Sequence, residues 1–191
     1  RVHYIACTSM LFIQNLFEPE NQLYFGCVVV TVVLSIVLHE LAHGWTAIWQ
    51  GDDTPRLQGH MTADPMVHMG GMSLLMLVLV GFAFGAMPVN PHNFRSKYGD
   101  ALVSAAGPMM NVLLAFIALT TLAVWLKFAD VPAEGPARNG QFFLETFGTW
   151  NIVLAIFNLL PVPPLDGSTI LGNFMPVYRR WLVNLGNPMF L

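Results

Sequence analysis

The chain has 191 residues, of which 55% are hydrophobic and 10% are charged, with a net charge of −3 and a mean hydropathy of +0.58. Soluble domains carry about 25% charged residues, so this composition excludes an ordinary soluble domain and predicts an integral membrane protein. The eight Lys and Arg residues are scattered through apolar sequence and form no basic face, which excludes a nucleic-acid-binding protein.

The N-terminal half contains two apolar segments. Residues 4–17 are short for a membrane span, which takes about 20 residues, although we expect this segment to cross as the end of a longer helix. The run from Leu23 to Gln50 is long enough to span, and the Gly and Pro of residues 51–55 end it. Residues 52–71 are polar and mixed, and we expect loops with short strands there. The chain starts at Arg1 without a Met, and we expect both of its ends to be cut.

The C-terminal half contains three more apolar segments. Residues 72–87 are apolar but short, residues 101–128 form a clear span, and residues 142–160 form another that is broken by the prolines after it. The loop 129–141 is too short for an inserted folded domain. The tail, residues 168–185, has the composition of an interfacial helix. The pattern predicts an all-α membrane protein with about four transmembrane helices and one domain over residues 1–191.

Positive charge decides how residues 72–89 are placed. If this segment enters the membrane and returns, one side carries six basic residues and the other carries two. If it spans, the two sides carry four each. The six are Arg1, Arg56, Arg95, Lys97, Arg179 and Arg180, and the two are Lys127 and Arg138. The bias favours a membrane-embedded re-entrant hairpin over about residues 72–89, interrupted by Gly81 and Gly85.

A polar pentapeptide, His39-Glu40-Leu41-Ala42-His43, lies inside the apolar run 23–50. Helix positions i and i+4 share a face, so the two imidazoles can hold one Zn²⁺ while Glu40 reaches a water beside it. Ionisable groups inside a membrane helix are expensive and need partners. The pentapeptide therefore predicts a metal site within the membrane.

Two ligands do not complete a catalytic zinc site, which takes three protein ligands and one open position. The candidate third ligand is Asp166, which follows the proline-broken sequence 158–165 and precedes Gly167. The prolines open the backbone, so the carboxylate can turn inward. Cys7 and Cys27 are isolated, and we expect neither a disulfide nor a thiolate site.

Together these motifs resemble those of the site-2 protease family of intramembrane zinc metalloproteases. The resemblance rests on HELAH at 39–43, on NLLPVPPLDG at 158–167, and on Ala106-Gly107-Pro108 with Asn111 between them. It covers about residues 23–180, the expected catalytic core. The short connection at 129–141 is similar to that of compact members without a PDZ domain.

The resemblance implies roles for the matching residues. His39, His43 and Asp166 would bind Zn²⁺, and Glu40 would be the general base that later passes a proton to the leaving amine. Asn158 would hydrogen-bond the substrate backbone or the developing oxyanion. The substrate would be a transmembrane helix of another protein, which must unwind and could pair with an extended edge at residues 82–89. The resemblance also implies a multi-pass protein of a bacterial or archaeal cell membrane, with the zinc site nearer the cytosolic side.

Each of these residues also has a simpler structural interpretation. The polar groups of 39–43 could be packed within a bundle, Asp166 could cap a helix, and Asn158 could form a helix–helix hydrogen bond. Asn111 and Asn151 are interpreted as packing residues of that kind, and Gly107 and Pro108 as the start of a helix. Three histidines near the hairpin are interpreted as loop or interfacial residues, with a gating or secondary metal role as the alternative; they are His60, His68 and His92. Asp52 and Asp53 are interpreted as capping or solvated loop residues.

Two other functions compete with a protease. A metal-transporting membrane protein would also place His and Glu on its helices, but it should offer ligands along several helices, and the spans 101–128 and 142–157 carry no internal carboxylate except Glu145 near an end. A catalytically silent binding relative is the third possibility, and the presence of Glu40 argues against it.

Overall fold

The structure is a computed structural model that describes residues 11–129 and 135–184. These residues form eight α-helices and one 3₁₀ turn, Pro91–Asn93. The helices are α1 Gln14–Phe17, α2 Gln22–Gln50, α3 Thr54–Leu57, α4 Pro65–Val80, α5 Gly99–Phe128, α6 Pro136–Asn158, α7 Asp166–Phe174 and α8 Pro176–Asn184. The all-α prediction is confirmed for the described residues.

Two of these helices, α2 and α5, are long and apolar enough to cross a membrane. The predicted span 142–160 is occupied by α6, which is not among those two, and residues 4–10 lie outside the described residues. The count of four transmembrane helices therefore stays a prediction. Large apolar side chains on α5 are exposed, such as Phe116 at 67%, as expected for a helix whose surroundings are lipid.

The bundle is formed by α2, α5 and α6, with α7 against α5 and α4 against α2. A buried cluster joins Val28, Val32 and Ile36 of α2 to Met69 and Leu77 of α4. The helix that carries the pentapeptide is therefore packed by the hairpin on one side and by the other long helices on another.

The segment predicted to turn back does so at Gly81, which ends α4 with a positive φ of 80°. The chain then returns in an extended conformation alongside α4. The Ser73 hydroxyl donates to the Phe84 carbonyl and accepts from the Phe84 N–H, and the Ala86 N–H donates to the His68 carbonyl at 3.0 Å. The helical arm starts at Pro65, earlier than predicted, and the position of this hairpin in a membrane stays a prediction.

The expected short strands are wrong for the described residues, where no strand is found. The physical reason is the partner of the returning segment. The returning segment is extended, but its hydrogen bonds go to the Ser73 side chain and the His68 carbonyl of helix α4 and not to a second extended segment. Residues 54–57 form one helical turn instead of a strand.

The base of the hairpin is fixed to the end of α2 by Asp52, which is fully buried. Its carboxylate accepts hydrogen bonds from the Asn90 N–H at 2.7 Å, the Asn93 amide at 2.9 Å and the Thr54 hydroxyl at 2.5 Å. Burial alone would raise the pKa of Asp52, but these hydrogen bonds outweigh burial and hold its pKa below the usual value. Asp52 thus caps its loop as expected, while Asp53 forms an exposed ion pair with Arg56.

Both loops that flank the hairpin lie at the same end of α2, because Asn90 and Asn93 bond to Asp52. We therefore expect cysteines introduced at the exposed positions Gln58 and His92 to react with a membrane-impermeant thiol reagent from the same side of a vesicle. Arg138→Cys, at the far end of the bundle, should react from the opposite side. Native Cys7 and Cys27 are first replaced by Ala. Labelling of positions 58 and 92 from opposite sides would show that residues 65–90 span.

Candidate metal centre

Both histidines of the pentapeptide lie on one face of α2, one turn apart, and both are buried. Their ring centroids are 4.6 Å apart and their planes are nearly perpendicular. Their Nε2 atoms face the same space. This face is turned toward α5 and α7 rather than toward the surroundings of the bundle.

Asp166 reaches this space from the first turn of α7. Its Oδ2 lies 3.1 Å from His39 Nε2, and its Oδ1 lies 3.4 Å from His43 Nε2. The three side chains offer one ligand atom each, and these atoms lie within 4.8 Å of one another. The structure thus brings together the three residues that the sequence singled out.

The turn that delivers Asp166 depends on a close backbone approach at Gly167. A Cβ at this position would lie 2.2 Å from the Leu159 carbonyl oxygen and 2.6 Å from that of Leu160. Only glycine therefore lets α7 begin directly against the end of α6. The reason is contact between two backbones and not a positive φ, since Gly167 is not in the left-handed region.

The second nitrogen of each ring has its own partner on α5. His43 Nδ1 lies 2.7 Å from the Val103 carbonyl oxygen, and His39 Nδ1 lies 2.6 Å from Asn111 Oδ1. A carbonyl oxygen only accepts, so each Nδ1 carries a proton and Nε2 is the nitrogen that each ring can offer to a metal ion. Neutral imidazoles with a free Nε2 are the form that binds a metal ion.

Gly107 lets α5 lie close against the two imidazoles. A Cβ on this residue would lie 2.4 Å from His39 Nε2 and 2.5 Å from His43 Nε2, so a larger residue would clash with both rings. The ligand atoms of His39, His43 and Asp166 lie within 4.8 Å of one another, close enough to hold one metal ion. The donor set of two imidazoles and one carboxylate is also one that zinc accepts. Gly107 and Pro108 lie inside α5, so their interpretation as the start of a helix is wrong.

Glu40 is buried beside the ligands and faces the returning arm of the hairpin. A Cβ at Gly85 would lie 2.6 Å from Glu40 Oε1 and 2.7 Å from Ile36 Cγ2, so the backbone of residue 85 rests on this carboxylate. Among the described residues, no hydrogen bond occupies the Glu40 carboxylate. Its oxygens are therefore available to another molecule.

Asn158 is not joined to the three ligands by a hydrogen bond in the described part of the chain. Its amide donates to the Leu154 carbonyl of its own helix at 3.0 Å. A helix–helix bond from Asn158 is also not found there. Its predicted catalytic role stays a prediction.

Two of the three histidines near the hairpin lie outside the long helices, but His68 lies in α4, so its interpretation as a loop residue is wrong. His68 is buried, with Nε2 2.7 Å from the Thr62 carbonyl oxygen, and His60 Nδ1 lies 3.1 Å from that of Gln58. His92 is exposed in the 3₁₀ turn. Within the described ranges, the group of His39, His43 and Asp166 is the only one that could hold a metal.

Sequence reasoning missed several groups around the centre. Asn111 was expected to form a hydrogen bond between helices, which it does with Asn151, but its contact with His39 was not foreseen. The carbonyl of Val103 and the backbone of Gly85 were not foreseen either. A signal for Asn111 existed, because Val103, Gly107 and Asn111 recur at intervals of four and so share one face of α5. No sequence signal marks a backbone carbonyl.

Comparison with known proteins places the chain among peptidases. It matches the family model described as Peptidase family M50 over residues 27–137 and 126–186. "Putative zinc metalloprotease YwhC" of Bacillus subtilis is 36% identical over 151 residues, which are 78% of this chain and 68% of that protein. "Putative zinc metalloprotease Rip2" of Mycolicibacterium smegmatis is 31% identical over 155 residues, 75% of this chain and 56% of that protein. No solved structure gives a significant match.

The close approach of Gly107 to the two imidazoles can be tested by adding one methyl group. Gly107→Ala should lose bound metal, because its methyl group would lie within 2.5 Å of both Nε2 atoms and force the rings or α5 apart. We expect the affinity for Zn²⁺ to fall about tenfold or more, measured by competition with a chelating dye. Gly26→Ala on α2 is the matched control, because nothing lies within 4 Å of its added Cβ. Equal affinity in Gly107→Ala and wild type would contradict the placement of the metal.

Proposed function

This chain belongs to peptidase family M50, the site-2 protease family, and from that premise we propose that it is a zinc metalloendopeptidase that cleaves a peptide bond in or near a transmembrane helix of another membrane protein. The observation that carries the proposal is the convergence of His39, His43 and Asp166 beside Glu40, inside a bundle built on two apolar helices. A site at this depth suits a substrate that is itself in the membrane.

The residues around the site fit one zinc ion. His39, His43 and Asp166 would hold it, with both imidazoles presenting Nε2 and with no side chain from Gly107 to displace the rings. When bound, zinc would polarise the scissile carbonyl and lower the pKa of a water toward about 7. Because hydrogen bonds to α5 already orient both imidazole rings, His39 and His43 would need little rearrangement to bind the ion.

Glu40 would act as the general base. It lies next to His39 on the same helix, and within the described chain its carboxylate is not engaged in a hydrogen bond. It can therefore take a proton from the attacking water and later pass it to the nitrogen of the leaving amine. Burial by the backbone of Gly85 limits its contact with bulk water. Asn158 would assist only if its amide left the Leu154 carbonyl for the substrate.

The returning arm of the hairpin would bind the unwound substrate along an edge. Phe84 and Ala86 direct their backbone groups to α4, and alternate residues of an extended segment point in opposite directions. In the described part of the chain, the N–H groups of Ala83, Gly85 and Met87 make no hydrogen bond. A substrate strand paired there would run past Glu40, because Gly85 rests on that carboxylate.

The proposed orientation places the zinc site nearer the cytosolic side of a multi-pass protein. His43 lies seven residues before the end of α2, a depth of about 10 Å at 1.5 Å per residue. The loops at that end carry Arg56, Arg95 and Lys97, and positive loops favour the cytosol.

Replacing the base should separate binding from catalysis. Glu40→Gln keeps the shape of the side chain but removes the proton acceptor, so cleavage of a membrane substrate in vesicles should fall by about 10²–10⁴-fold while zinc content persists. Undiminished cleavage by Glu40→Gln would exclude this mechanism. Movement of zinc across vesicles by the wild type, without cleavage of any substrate, would favour the transporter instead.

The edge can be tested by removing one donor at a time. Ala83→Pro should reduce cleavage without loss of zinc, because it deletes a free N–H, whereas Ala83→Val keeps that N–H and controls for bulk. Ala86→Pro should also reduce cleavage, but it breaks the bond to the His68 carbonyl and so disturbs the hairpin as well. Full activity in both proline variants would count against strand pairing.

A further inference from the structure

A chain of buried side-chain amides connects His39 to the two other long helices. His39 Nδ1 lies 2.6 Å from Asn111 Oδ1 on α5, and the Asn111 amide nitrogen donates to Asn151 Oδ1 on α6 at 3.1 Å. The Asn151 amide nitrogen donates in turn to Ser35 Oγ on α2 and to the Phe147 carbonyl oxygen, both at 2.9 Å. Asn111 and Asn151 are almost completely buried.

The direction of every bond in this chain follows from its last acceptor. The Phe147 carbonyl oxygen has no hydrogen to give, so Asn151 must turn its NH₂ toward it and its Oδ1 toward Asn111. Asn111 must then donate with its NH₂, which leaves its Oδ1 facing His39. His39 must therefore hold a proton on Nδ1, and Nε2, which faces Asp166, is the nitrogen that it offers to a metal ion.

The two histidines therefore reach the same tautomer by different routes. His43 contacts a backbone carbonyl directly, at Val103, whereas His39 is linked to one through two asparagine side chains. Neither amide can rotate alone, since each reversal would bring two acceptors together in a buried space.

We propose that Asn151 is a positioning residue that acts through Asn111 to fix the tautomer of His39. The proposal rests on zinc binding by His39 in the proposed function. It gives Asn151 a specific role in place of general packing between helices. Loss of its amide would free Asn111 to present either end of its own amide to the ring, so His39 would populate both tautomers and bind metal less tightly.

The first measurement is the tautomer itself. Long-range ¹H–¹⁵N spectra of the zinc-loaded protein with ¹⁵N-labelled histidine report which ring nitrogen carries the proton and which binds the ion. The metal is needed because Asp166 would otherwise accept a proton from Nε2 itself. In Asn151→Leu we expect His39 to shift to a mixture of tautomers, while His43, held by Val103, keeps its signals and serves as an internal reference. The affinity for Zn²⁺ should fall about 10–100-fold, as for other residues that orient a metal ligand.

Three further variants define the specificity of the effect. Asn151→Asp keeps an oxygen that accepts from Asn111 and should retain the wild-type tautomer. Ser35→Ala should do the same, because the Phe147 carbonyl alone fixes the direction. Gln141→Leu removes another buried amide from α6, ten residues away and outside the chain of bonds, and should leave His39 unchanged. Should Asn151→Leu fail to fold, Asn151→Ala removes the amide without added bulk.

An unchanged His39 tautomer in folded Asn151→Leu or Asn151→Ala would overturn the proposal, and so would an equal effect of Gln141→Leu. The spectra are recorded without substrate. A wild-type protein that shows the fixed tautomer and binds zinc but cleaves nothing would therefore refute the proposed function and leave this role of Asn151 standing.

Discussion

The structure depends on pairing polar groups inside an apolar bundle. Two imidazoles and two carboxylates lie between helices that expose large hydrophobic side chains, and an unpaired polar group there costs several kcal/mol. Each ring nitrogen is accordingly used: the two Nε2 atoms face Asp166, and the two Nδ1 atoms face acceptors on α5. Glu40 is the exception within the described residues, and a buried carboxylate left without a hydrogen bond marks the place where chemistry can occur.

Glycines from three different elements let backbones close around these groups. Gly107 of α5 approaches the imidazoles, Gly85 of the hairpin approaches Glu40, and Gly167 of α7 approaches the end of α6. None of the three has a positive φ, so each is required by space rather than by backbone conformation. Side chains at positions 107 and 85 would clash with the imidazoles and with Glu40, and one at position 167 would clash with the backbone that ends α6.

The sequence singled out three residues that the structure brings together, because the signals of these residues are local. Positions 39 and 43 share a helix face by periodicity, and a proline break before Asp166 indicates where the last helix is interrupted. The surroundings of the ligands depend on distances between segments far apart in the chain, which no local pattern contains. Asp52 illustrates this: it was expected in a loop, and it is fully buried because residues 90 and 93 fold back onto it. The prediction of strands failed for the same reason: which segment lies beside residues 82–89 depends on the fold, and in the structure that segment is a helix.

The hairpin is held along its whole length before any substrate arrives. Asp52 and the Gln50 carbonyl bind its base, with the latter accepting from the Arg95 N–H at 2.8 Å. Ser73 and the His68 carbonyl bind its middle, and the Leu79 carbonyl near its tip accepts from the Ile13 N–H at 3.3 Å. Moving the hairpin away would break several of these hydrogen bonds. The free N–H groups of its returning arm, in contrast, could bond to a strand without any movement of the hairpin. Since Gly85 rests on Glu40, a substrate strand paired in the proposed way would already be aligned with the proposed base, and little entropy would be lost in aligning the two during the reaction.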